Sequence, residues 1–202
     1  MKHQSLFWEK EILEIEDQSK IKEDIDAIFY GSSSIKLWTT LKDDFSPFNV
    51  LNHGFGGSKL SDATYYYNRM IESYHPRLVV VFSGSNDIDF DVKTKSYSKR
   101  AFKHFKALYK KHRKILNTPF IFIAINPTIY RFPLYDKVKK TNELIKNYAM
   151  KKQNLYMLDV TDKFLSLGEP IKELYQNDGV HLSSQGYQIW VEALKPILDD
   201  LL

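Results

Sequence analysis

Apolar residues along this chain recur in two spacings. Continuous runs at Ile25 to Tyr30, Leu78 to Phe82 and Phe120 to Ile125 predict buried strands, and Asn49 to Leu51 and Tyr156 to Leu158 predict a shorter second and fifth strand. Between the runs the period lengthens to three and four. Phe7, Trp8, Ile12 and Ile15 predict an N-terminal amphipathic helix; further helices are expected over Ser61 to Tyr74, along the basic stretch that leads up to Lys114, and over Leu134 to Lys152. A last helix is expected from about Ser184, with Ile189, Ala193, Leu194, Ile197 and Leu198 inward and Pro196 bending it.

Strands that are apolar throughout and alternate with helices imply a parallel sheet covered on both faces. The expected fold class is therefore α/β: a flavodoxin-like three-layer sandwich with a parallel five-stranded sheet and helices on both faces. No repeat, linker or low-complexity tract divides the chain. Residues 1–202 are read as one domain, with 1–24 as a helical segment packed on it. In such a sheet a ligand site lies beyond the carboxyl ends of the strands, where strand order reverses.

Composition narrows the chemistry. With 202 residues and 43% hydrophobic positions the chain can bury a sizeable core, and with no cysteine it has no disulfide framework, thiolate nucleophile or cysteine metal site. No apolar run approaches the ~20 residues that cross a bilayer, and Met1 to Glu11 lacks the hydrophobic stretch of a signal peptide, so a cytoplasmic location is expected. The net charge of +4, from 29 basic against 25 acidic residues, is mild. Much of the excess lies between Lys93 and Lys114, where Lys99, Lys103, Lys106 and Lys110 recur beside Phe102, Phe105 and Leu108 as a solvated face opposite a buried stripe. No nucleic-acid module accompanies it, and no nucleic-acid partner is expected.

Four segments carry candidate chemistry. Gly31-Ser32-Ser33-Ser34 follows the first strand, and Asp178-Gly179-Val180-His181 lies near the C-terminus. A serine hydroxyl needs an imidazole to take its proton and a carboxylate to orient that imidazole, and these segments hold all three. Asn52-His53-Gly54-Phe55-Gly56-Gly57-Ser58 and Gly84-Ser85-Asn86-Asp87 follow later strands and are built to present backbone and amide N–H donors. Acyl transfer needs such donors where charge develops on the carbonyl oxygen. Each residue also has a plainer reading. Ser33 could cap a helix, Asn86 and Asp87 could be turn residues, and Asp178 with His181 lacks the third ligand that a metal would want. His3, His53, His75, His104 and His112 read as surface residues, with His53 placed to line the pocket. Tyr65-Tyr66-Tyr67 should straddle a helix with one ring inside, the outer rings offering a platform for a sugar. Arg131 could meet an anionic substrate group, although a lone loop arginine is usually solvated.

In this order the four segments resemble the SGNH subgroup of the GDSL-type esterases and lipases, from about Ile28 to Tyr187. The resemblance implies Ser33 as nucleophile, Asp178 and His181 as its triad partners, and an oxyanion hole from Ser33, Gly57 and Asn86. Ser32 and Ser34 stand where the family usually has Asp and Leu. The implied activity is hydrolysis of short-acyl carboxylic esters, acetyl esters on carbohydrates foremost, through an acyl-enzyme, with no cofactor or metal. Lysophospholipase and thioesterase activities belong to the same family. An inactive hydrolase-like binding module is a further alternative. An unrelated nucleotide-binding domain would need a glycine-rich cradle after the first strand, where this chain has one glycine.

Overall fold

A computed structural model describes residues 4–19, 24–88, 90 and 96–202. His3 and Lys93 therefore lie outside the described residues. Five parallel strands, β1 (Ala27–Gly31), β2 (Val50–Gly54), β3 (Leu78–Phe82), β4 (Phe120–Ile123) and β5 (Leu155–Leu158), form one sheet in the order β2-β1-β3-β4-β5. Around it run α1 (Glu9–Gln18), α2 (Ser33–Lys36), α3 (Leu41–Asp44), α4 (Leu60–Ile71), α5 (Tyr97–Ile115), α6 (Tyr135–Ala149) and α7 (Ser184–Leu201).

Alternate residues of each apolar strand enter opposite layers. Ile28, Tyr30, Val79, Val81, Phe120 and Phe122 pack with Ile12 of α1, Tyr67 and Met70 of α4, Phe105 of α5 and Ile145 of α6. Ala27, Phe29, Val80, Phe82, Ile121 and Ile123 pack with Ile35 of α2, Leu41 of α3 and Trp190, Leu194 and Leu198 of α7. The chain thus makes the three layers read from its strand pattern. Among the described residues no helix is long and apolar enough to cross a membrane.

Several elements differ in detail from the sequence reading. β2 runs on through Asn52, His53 and Gly54, which read as the start of a turn. Their polar groups are satisfied within the strand: Asn52 Nδ2 donates to the Ile35 carbonyl at 2.7 Å, and both His53 nitrogens are bonded, to the Met70 carbonyl at 2.6 Å and Ser19 Oγ at 2.9 Å. Tyr66 and Tyr67 are both buried and only Tyr65 is exposed, because each inner phenol finds a partner, Glu9 Oε2 at 3.2 Å and His112 Nδ1 at 2.7 Å. The expected single inner ring is thereby corrected. Pro196 lies inside α7, which continues past it to Leu201. A two-stranded hairpin, β6 (Leu165–Ser166) and β7 (Glu169–Pro170), is too short to show a periodicity.

Candidate active site

β1 and β3 lie side by side at the point where the strand order turns, with Gly31 in register with Phe82. Ser32 N–H continues that ladder onto the Phe82 carbonyl at 3.0 Å, so the residues after both strands emerge into one crevice. From β1 come Ser32, Ser33 and Ser34 at the start of α2; from β3 come Ser85, Asn86 and Asp87. The loop that precedes α7 brings Asp178 and His181 over the same edge.

There Ser33 Oγ lies 2.9 Å from His181 Nε2, and His181 Nδ1 lies 2.5 Å from Asp178 Oδ2. Asp178 Oδ1 accepts from the backbone N–H groups of Val180 at 2.8 Å and His181 at 3.0 Å. Partial burial raises the Asp178 pKa, but the hydrogen bonds from these two N–H groups and from the His181 ring outweigh it and hold the carboxyl below its ordinary value. The carboxylate thus fixes Nδ1–H and leaves Nε2 as acceptor toward the serine. A chain of hydroxyl, imidazole and carboxylate in this order can generate an alkoxide-like nucleophile and return its proton to a leaving group.

Of the three adjacent serines only Ser33 reaches the imidazole. Ser32 is buried with no partner for its hydroxyl, and the Ser34 backbone carbonyl accepts from Tyr187 Oη at 2.8 Å. Ser33 and Asn86 share a cavity of about 10 Å³ with Phe82, Asn126, Thr128 and Leu182.

Gly57 follows β2 in an exposed turn at φ +70°, with nothing within 4 Å of where a Cβ would stand. It is not among the residues lining that cavity, but the next residue is tied to it: Asn86 Nδ2 donates to the Ser58 carbonyl at 3.1 Å. The glycine loop is also held from outside. Trp8 Nε1 donates to the Gly56 carbonyl at 2.5 Å, Gly56 N–H donates to Glu11 Oε1 at 2.9 Å, and Glu11 pairs with Lys36 of α2 at 2.7 Å. Asp87 is buried and anchors the start of α4, accepting from Leu60 N–H at 2.9 Å and facing His104 Nδ1 at 3.1 Å.

Three expectations are corrected here. His53 does not line the crevice; it is buried between β2 and α4, bonded to the Met70 carbonyl and Ser19 Oγ, where desolvation lowers its pKa to about 4. His112 is buried as well, with its pKa also lowered to about 4 by desolvation. Arg131 is not simply solvated: its Nη2 donates to Asn86 Oδ1 at 3.1 Å. No local signal in the sequence marks that contact, which joins residues 45 positions apart. Among the described residues no cluster of three or more His, Asp or Glu could hold a metal ion.

The model of the GDSL-like Lipase/Acylhydrolase family matches residues 30–189. Platelet-activating factor acetylhydrolase IB subunit alpha2 of Rattus norvegicus is 25% identical over 181 residues, covering 88% of this chain and 77% of that protein. A GDSL-like lipase from Bacteroides thetaiotaomicron superposes with a TM-score of 0.76 at 18% identity, covering 98% of each chain. The acetyl xylan esterase AlAXEase superposes at 0.70 with 21% identity, over 86% of this chain and 99% of its own.

Proposed function

Since this chain belongs to the GDSL-like lipase/acylhydrolase family, we propose that it is a serine esterase that hydrolyses short-acyl carboxylic esters, acetyl esters of carbohydrates foremost. The observation that carries this reading is the bonded sequence Ser33 Oγ, His181, Asp178 at 2.9 and 2.5 Å.

Ser33 Oγ attacks the ester carbonyl carbon while His181 Nε2 takes its proton. Negative charge passes to the carbonyl oxygen, which Ser33 N–H, Gly57 N–H and Asn86 Nδ2 receive. The tetrahedral intermediate collapses as the C–O bond to the alcohol breaks and His181 returns the proton to the departing oxygen. Water, deprotonated by the same imidazole, then attacks the acyl-Ser33 ester; the C–O bond to Ser33 breaks, His181 returns the proton to Oγ, and the acid is freed. Asp178 stays ionised throughout and balances the imidazolium.

The acyl size rests on the cavity beside Ser33. At about 10 Å³ it has room for roughly one water-sized group, which favours a short acyl chain over a long one. The names of two similar proteins, an acetylhydrolase subunit and an acetyl xylan esterase, point the same way.

A p-nitrophenyl ester series with an organophosphonate probe tests the reading. Acetate should be turned over much faster than octanoate, Ser33→Ala should abolish turnover, and peptide mapping should place the phosphonate on Ser33. An adduct on Ser32 or Ser34 would overturn the nucleophile; preference for octanoate would overturn the acyl assignment.

A further inference from the structure

The side-chain amide of Asn86 is held at both ends by groups of opposite hydrogen-bonding character. At one end the Ser58 carbonyl, 3.1 Å from Nδ2, can only accept. At the other the Arg131 guanidinium, 3.1 Å from Oδ1 through Nη2, can only donate. Rotating the amide by half a turn would set carbonyl against carbonyl and N–H against N–H, so only one orientation satisfies both partners. In that orientation one hydrogen of Nδ2 is used by Ser58 and the second is uncommitted, on a residue that lines the cavity shared with Ser33.

Arg131 is well placed for this. Its backbone N–H is 3.3 Å from Thr128 Oγ1, its guanidinium lies 5.8 Å from the Tyr130 ring centre, and its Nη1 is 3.5 Å from Ser85 Oγ. Among the described residues no carboxylate forms an ion pair with it, and its buried Nε has no hydrogen-bond partner, so its charge is not spent on a structural anion. The same turn reaches the other half of the site, because Tyr130 N–H donates to the Gly179 carbonyl at 3.0 Å, between Asp178 and His181.

We propose that Arg131 is a positioning residue for the oxyanion donor Asn86: its guanidinium selects the amide orientation and, by withdrawing density from Oδ1, makes the free N–H a stronger donor. This rests on the reading of Asn86 as an oxyanion donor. Arg131 does not touch the reacting ester; its effect passes through the amide.

A double-mutant cycle on p-nitrophenyl acetate tests it. Arg131→Ala should lower kcat about tenfold, a part of the roughly 10²- to 10³-fold that one oxyanion donor supplies, with KM changed less than about twofold. Millimolar guanidinium should restore its kcat saturably. In the Asn86→Ala background, itself reduced about 10²- to 10³-fold, removal of Arg131 should cost nothing more. Arg131→Gln, which keeps a neutral donor but no charge, decides the question if the alanine variant does not fold, and should also lose kcat. Wild-type kcat in the folded Arg131 variants, additive losses in the double variant, or a rise in KM with kcat intact would each overturn the proposal while leaving the esterase reading in place. Wild-type kcat in Asn86→Ala would overturn the oxyanion role itself, and the proposal with it.

Discussion

At the scale of single residues, the site depends on which atom of a side chain is already committed. His181 has two nitrogens, and Asp178 claims Nδ1, so Nε2 is the one that can take a proton from Ser33. Asp178→Asn should keep the fold but lower kcat by about 10³- to 10⁴-fold, because an amide can accept from or donate to Nδ1 and no longer enforces the tautomer. Steady-state kinetics beside a thermal melt would show it. In the wild type kcat/KM should rise with pH and then level off, since a general base must be neutral. Asp178 contributes no second acid limb near neutrality. Its folded pKa lies below the ordinary value of 3.8, so the stability it supplies is complete above that value and is lost only as pH falls through the lower native one.

At the scale of elements, Ser33, the proposed nucleophile, is placed by how closely α2 lies on the end of β2. A Cβ on Gly54 would stand 2.1 Å from the Lys36 nitrogen and 2.7 Å from the Ile35 carbonyl carbon, so the helix can rest there only on a glycine. Gly57 differs: a side chain there has open space, and its cost is only the strain of φ +70°, roughly 1–2 kcal/mol. Gly54→Ala should therefore lower the melting temperature sharply and displace Ser33, with loss of turnover. Gly57→Ala should melt close to wild type, and any kinetic defect in it reports the loop's own part in the reaction. Both are read by calorimetry and the acetate assay. α1 belongs to the same arrangement, because Trp8 and Glu11 grip the Gly56 peptide unit from both its carbonyl and its N–H.

At the scale of the whole molecule, two buried histidines set the response to acid. His53 and His112 keep both ring nitrogens hydrogen-bonded inside the core, and desolvation lowers each pKa to about 4 from the ordinary value of 6.5. Below pH 6.5 the unfolded chain takes up protons that the folded chain refuses, so the stability from these groups is full above 6.5 and is lost as pH falls toward 4. Each accounts for a loss on the order of 3 kcal/mol over that window. Urea melts at pH 7.5 and pH 5 should show roughly 2 kcal/mol of this loss per histidine in the wild type. His112→Gln should be less stable at pH 7.5 yet show a smaller difference between the two pH values.

The order and type of the main elements were legible because strands buried on both faces must be apolar along their whole length. Leu78–Phe82 and Phe120–Ile123 show this. The candidate site was legible for a related reason. Ser33, Asn86, Asp178 and His181 sit in short local blocks that can be recognised without knowledge of the fold. What tertiary structure decided is every contact between residues distant along the chain. It brought Ser33, already singled out by the family resemblance, within 2.9 Å of His181, 148 residues away. It buried His53, His112 and Tyr66 by supplying partners to their polar atoms, where polarity alone suggested surface for the histidines. It also set Arg131 against Asn86, a pairing created by the meeting of two loops at the ends of β3 and β4. A hydrogen bond depends on where two groups lie in space, and the spacing of residues along the chain records only where each element begins and which face it buries.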